Sequence, residues 1–148
     1  MHIYVDGSYN QATDHWGGGA VICDDNESIV IQTLSISGPN VNGSNQITGE
    51  LESAIIALEY VKNHVNALAE NEEVTLFYDY EGIGKWATNE WKANKPVAKS
   101  YKTRVNRILL ELRFMHGVTV NFEKVKSHSG VKMNDIADRV CGEACGVK

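Results

Sequence analysis

Seven apolar residues, Leu51, Ala54, Ile55, Leu58, Val61, Val65 and Leu68, recur at intervals of three and four. That spacing marks one face of an α-helix and predicts a helix from about Thr48 to Ala67. Its flanks narrow the fold. Before it lie runs of strand character at residues 2–9, Ala20 to Cys23 and Ser28 to Leu34, joined by short connections as in an antiparallel meander. After it comes Val74-Thr75-Leu76-Phe77-Tyr78, a fourth strand. A helix between two strands of one sheet is a crossover, so this strand is expected to run parallel to the first. Helical stretches from Glu81 to Trp91 and Val97 to Met115, a fifth strand from Val118 to Val125 and a helix from Met133 to Cys145 complete the chain. Breaks at Asn94-Lys95-Pro96 and His116-Gly117 separate them. The expected class is α/β, a meander combined with crossover helices on one mixed sheet. Ser35 to Ser44, rich in Ser, Gly, Asn and Pro, reads as a loop. The run Gly17-Gly18-Gly19 lacks the lysine that ends a P-loop and reads as close backbone approach in a bent strand.

A chain of 148 residues, 43% hydrophobic, suits one globular domain over residues 1–148. There is no apolar run of about eighteen residues to span a membrane and no basic start typical of a secretory signal. Cys23, Cys141 and Cys145 form no CxxC pair, which argues against a disulfide framework or a zinc knuckle and for a reducing cytoplasm. Cys141 and Cys145 read as small core residues.

The net charge of −5 conceals a division: residues 1–84 carry thirteen acids and one base, Lys62, whereas residues 85–148 carry thirteen bases and six acids. Seven of those bases fall between Lys85 and Arg107, interleaved with Trp86, Trp91 and Tyr101. Such a segment is either a solvated helix face or a track for a phosphate backbone.

Three acids fit a structural role poorly. Asp6 and Asp79 each end an apolar strand run, and Glu50 falls about 60° from the centre of its helix's apolar stripe, inside the buried arc. Glu52 and Glu59 fall outside it and read as solvated. Asp6-Gly7 could instead start a hairpin turn, and Asp79 could cap the next helix. If the first and fourth strands are parallel neighbours, however, both aspartates emerge at one sheet end, where the crossover helix can bring Glu50. Like charges so close imply bound cations or raised pKa values, and an all-oxygen set favours Mg²⁺ or Mn²⁺. In the last helix Asp138 lies at the margin of the apolar face, whereas Asp135 points away from it. His128 lies on the preceding glycine-containing loop.

Taken together, Tyr-Val-Asp-Gly-Ser-Tyr, Asn-Gln-Ile-Thr-Gly-Glu-Leu-Glu-Ser-Ala, Phe-Tyr-Asp-Tyr-Glu-Gly-Ile and Lys-Ser-His-Ser-Gly-x3-Asn-x3-Asp resemble type 1 ribonuclease H, in order and over essentially the whole chain. The resemblance implies a ribonuclease H-like fold, a five-stranded mixed sheet of order 3-2-1-4-5 with strand 2 antiparallel, flanked by helices. It implies that Asp6, Glu50, Asp79 and Asp138 are metal ligands for two Mg²⁺, with Mn²⁺ able to substitute. His128 corresponds to the family's flexible-loop histidine and Asn134 to its polar neighbour. The implied activity is two-metal hydrolysis of the RNA strand of RNA–DNA hybrids by a monomer, leaving 5′-phosphate and 3′-hydroxyl ends.

The sequence departs from the family in two places. Where the family often has adjacent asparagines upstream of the glutamate, this chain has Gln46 and Ile47, with Asn45 one residue further out. Asn45 and Gln46, together with Gly7 and Ser8, are the expected contacts to the sugar edge of the hybrid. The basic segment is also shorter than the family's long protrusion, leaving Trp86, Trp91, Lys92 and Lys95 as candidate DNA-strand contacts. Two other readings remain at this stage: a nuclease of the same fold acting on DNA, and a non-enzymatic nucleic-acid-binding module.

Overall fold

The computed structural model describes residues 1–41, 43–68, 71–125 and 132–148. Five strands, β1 (His2–Asn10), β2 (His15–Cys23), β3 (Val30–Pro39), β4 (Glu73–Tyr78) and β5 (Thr119–Lys124), form one sheet of order β3-β2-β1-β4-β5. The β1–β2 and β2–β3 pairs are antiparallel, and β4 runs parallel to both β1 and β5. The helices are α1 (Gln46–Asn63), α2 (Glu81–Ala87), α3 (Pro96–His116) and α4 (Lys132–Ala144). The expected sheet order and crossover are both present.

Alternation along the strands divides the interior into two layers. Ile3, Val5, Ala20, Ile22, Val74 and Leu76 pack with Leu51, Leu58 and Val61 of α1 and with Tyr101, Val105 and Leu112 of α3. On the other face Tyr4, Val21 and Cys23 meet Met133 and Ala137 of α4. Cys141 and Cys145 are buried free thiols, as expected of small core residues.

The glycine run lies within β2 rather than leading into it. Its close contacts explain why no side chain stands there. A Cβ on Gly17 would lie 2.3 Å from the Cys141 carbonyl oxygen, one on Gly18 2.8 Å from that of Gly49, and one on Gly19 2.6 Å from the Cys141 nitrogen. The strand is therefore clasped by α4 on one face and α1 on the other.

Several boundaries differ from the sequence reading. β3 continues to Pro39, through residues read as loop. It is an edge strand, where Ser, Gly and a terminal Pro are tolerated, and the Trp16 indole donates to the Pro39 carbonyl at 3.1 Å. α1 ends at Asn63 and a short 3₁₀ turn, Val65–Ala67, follows. α2 stops at Ala87, leaving Trp91 outside any helix. The Thr88 hydroxyl bonds the Gly84 carbonyl at 2.9 Å, and Asn89 takes a left-handed φ of 64° that ends the helix. α3 takes in Pro96, read as part of the preceding break, at its first turn and runs to a left-handed Gly117. Glu52, read as solvated, instead accepts a two-pronged ion pair from Arg104 of α3.

Candidate active site

Asp6 is in the middle of β1, paired with Gly19, so the hairpin-turn alternative is wrong. What makes the position special is the other neighbour. β4 pairs with β1 from His2 to Tyr4, and Tyr4 faces Phe77. Two residues beyond that pair, Asp6 and Asp79 emerge together where the parallel ladder has ended. The gap beside β1 lets carboxylates from both faces of the sheet converge.

Glu50 comes from the first turns of α1 and is 4% exposed, as the helical wheel requires. It reaches the gap because Gly7 has no side chain: a Cβ there would lie 2.3 Å from the Glu50 nitrogen and 2.8 Å from its Cα. Asp138 comes from α4 on the opposite face. Carboxylate oxygens of Asp6 and Asp138 and the Cys141 sulfur all lie within 4.8 Å of one another. Asp6, Gly7, Gln46, Glu50, Asp79, Asn134, Asp135 and Asp138 line one cavity of about 280 Å³. Asp135 is exposed as expected, but it stands at the mouth of this cavity.

Burial raises the Asp6 carboxyl from 3.8 to about 6; the Gly7 N–H, donating at 2.9 Å, opposes the rise, and the charges of Asp138 and Asp79 add to it. Glu50 is held well above the usual carboxylate range, first by burial and then by Asp6 and Asp79. Its Oε2 is buried and has no hydrogen-bond partner among the described residues. A buried, unpartnered acceptor facing further acids costs free energy, and a cation would relieve it. Oxygen donors arranged in this way fit a hard divalent ion. Burial, followed by the fields of Asp6 and Asp138, raises the Cys141 thiol, which donates to the Asp138 carbonyl at 3.1 Å. It stays a neutral thiol and leaves the donor set all oxygen.

A pH dependence follows for the metal-free protein. A carboxyl whose pKa is higher folded than unfolded binds more protons when folded. Asp6 therefore favours the folded state most below pH 3.8, and this contribution is lost as pH rises through about 6. Thermal melts in chelator should show wild type losing ground to Asp6→Asn across this window, with a constant difference above it. A difference that does not vary with pH contradicts the raised value.

The remaining candidates separate into groups. Trp86, Lys92 and Lys95 line a second, larger cavity of about 670 Å³ with Gly43, Ser44, Ile47 and Tyr80. Trp91 packs edge-on against Trp86 with ring centroids 5.7 Å apart. Ser8 is paired with Gly17 inside the sheet and does not line the acidic cavity. Asn45 starts α1 with a φ of 51°; its N–H donates to Asn40 at 2.8 Å and its side-chain oxygen accepts from Asn40 at 3.1 Å. Its amide nitrogen is thereby turned away from Asn40. His128 lies outside the described residues. Two contributors escaped the sequence reading. Tyr80 is signalled only by following Asp79, and Lys148, ion-paired to Asp138, has no local signal.

A central parallel pair of strands thus carries acids at its open end, between α1 and α4. The chain belongs to the RNase H family, whose sequence model matches residues 1–146. It is a ribonuclease H enzyme, and the reading as a binding module without activity falls away. Solved structures share the fold. RNase H1 of the halophilic archaeon Halobacterium salinarum superposes with a TM-score of 0.75 at 18% identity, covering 99% of this chain and 98% of that one. LC11-RNase H1 in complex with RNA/DNA hybrid gives 0.73 at 19% identity, covering 97% of each chain. The LC11-RNase H1 structure isolated from compost by a metagenomic approach gives 0.75 at 22%, covering 98% of this chain and 94% of that one. No curated protein sequence matches significantly.

Proposed function

We propose that this ribonuclease H hydrolyses the RNA strand of RNA–DNA hybrids, using two divalent cations held by Asp6, Glu50, Asp79 and Asp138, and leaves 5′-phosphate and 3′-hydroxyl ends. Mg²⁺ is the expected ion, with Mn²⁺ able to substitute. The observation that carries this reading is the buried, unpartnered Glu50 oxygen beside the other acids. A hybrid substrate is supported by the LC11-RNase H1 complex, which has the same fold. When bound, the cations would activate a water and stabilise the departing 3′ oxygen.

The protein's own groups supply position and discrimination. Asp6, oriented by the Gly7 N–H, would hold cations together with the acids of α1 and α4, since it lies close enough to feel Asp138 on one side and Glu50 on the other. Glu50 and Asp79 would complete one site and Asp138 the other. Gln46, at the cavity wall, and the outward amide of Asn45 would touch the sugar edges, where the 2′-hydroxyl marks RNA. Asn134, also on the wall, would contact the RNA near the scissile phosphate. His128 would assist proton transfer or product departure.

The larger cavity adjoins the first turn of α1 and is lined by Trp86, Tyr80, Lys92 and Lys95, a set that suits the DNA strand: sugars against the rings, phosphates at the lysines. Replacing Lys92 and Lys95 with Ala should lower the slope of log affinity against log salt by about 1–2 and leave the turnover number nearly unchanged. Filter binding over a salt series with an uncleavable hybrid checks this. An unchanged slope would remove the DNA strand from this groove. The activity itself is tested on end-labelled hybrid, duplex DNA and single-stranded RNA side by side, followed by end-group analysis. Cutting confined to the hybrid's RNA with 5′-phosphate ends is expected. Cutting of duplex DNA would instead favour a DNA nuclease on this fold.

A further inference from the structure

The residues after α4 fold back along it. Gly146 takes a left-handed φ of 82°, and its N–H donates to the Glu143 carbonyl at 3.2 Å. The N–H groups of Val147 and Lys148 then both donate to the Gly142 carbonyl, at 2.9 and 3.3 Å. A left-handed residue just past a helix turns the chain back over the last carbonyls in this way. Here the turn lays the Lys148 stem across Gly142, where a Cβ would come within 2.8 Å of the lysine Cδ. Lys148 Nζ is thereby delivered to Asp138 Oδ2, with which it forms an ion pair. Arg139, next to Asp138 in α4, pairs instead with Glu143 at 3.8 Å.

The lysine is therefore held by backbone geometry beside a carboxylate that stands within 4.8 Å of Asp6. An ammonium and a divalent ion at one carboxylate repel each other and share its charge, so each weakens the other's hold. We infer that Lys148 is a tethered counter-ion for Asp138, which competes with the divalent cation there and so sets the cation concentration the site needs to fill. This rests on the reading of Asp138 as a metal ligand. In the metal-free protein the ammonium relieves part of the repulsion among the acids. When metal enters at Asp138 the lysine swings out, and losing the pair weakens the apparent affinity. The pair is about half exposed on both sides, so its effect is modest.

Manganese binding to the substrate-free protein, followed by electron paramagnetic resonance or calorimetry, tests the inference. Lys148→Gln should bind the Asp138-dependent ion about two- to fivefold more tightly than wild type. Its metal-free melting temperature should be lower, and Lys148→Arg should keep wild-type affinity. Asp138→Asn separates the two layers of the argument. If it weakens binding of one ion while Lys148→Gln leaves affinity unchanged, the competition is overturned and the ligand assignment stands. If Asp138→Asn leaves manganese binding intact, the ligand assignment fails and the inference fails with it.

Discussion

Asp6→Asn is expected to abolish metal-dependent cleavage of an RNA–DNA hybrid, lowering the rate at least about a thousandfold while the fold survives. The size follows from the role. Charge stabilisation by a bound metal is worth several kcal/mol, and each 1.36 kcal/mol is about tenfold in rate. An amide keeps the shape and can still accept from the Gly7 N–H, but it loses the charge that would hold a cation. Loss of activity through misfolding is excluded by a second expectation with the opposite sign. Asp6 is raised to about 6 by burial and neighbouring charge, so removing its ionisation should leave the metal-free protein as stable as wild type or more so at neutral pH. Cleavage rates and melts in chelator, measured on one preparation, check both halves. A variant that cuts at the wild-type rate would remove Asp6 from the centre.

Gly7→Ala carries the second large effect and separates two roles for this glycine. If Gly7 serves only to let the substrate's sugar approach, alanine should raise KM in a normally stable protein. The packing predicts more. The added methyl would lie 2.3 Å from the backbone nitrogen of Glu50, and backbone cannot swing aside as a flexible side chain can. The first turn of α1 must move, taking the Glu50 carboxylate with it. Overpacking of this kind costs about 1–3 kcal/mol, which for a chain of this size lowers Tm by roughly 3–10 °C. Displacing a catalytic group by about 1 Å costs on the order of a hundredfold. A lower Tm together with a lower kcat is therefore expected. A variant with wild-type Tm and kcat would show that β1 and α1 do not need this contact.

Much of this architecture was legible because burial leaves a periodic trace. The stripe from Leu51 to Val61 located α1, and the same wheel put Glu50 inside it, where the side chain is 4% exposed. The crossover rule makes the first and fourth strands parallel, and as neighbours they bring Asp79 to the same sheet end as Asp6. Misjudgements came where local composition and tertiary setting disagree. Ser35 to Pro39 has loop chemistry yet pairs with β2, because an edge strand needs only one partner. Asp6 read as a strand end because a charge in mid-strand is costly; it stands in mid-strand beside an open ladder, and the cost shows in its carboxyl, raised to about 6. The stretch from Glu81 to Trp91 reads as helix, but Thr88 and Asn89 end α2 first. Lys148 had no signal at all, since its reach to Asp138 depends on a backbone turn and on the bare surface of Gly142.

The most direct measurement is cleavage of a hybrid carrying labelled RNA by the wild-type protein in chelator, and again after Mg²⁺ is restored. The proposed cation-dependent centre predicts no product in chelator and full return of RNA-strand cleavage with the metal. Cleavage that persists in chelator, or an intact hybrid in Mg²⁺, would contradict a metal-dependent centre at Asp6, Glu50, Asp79 and Asp138.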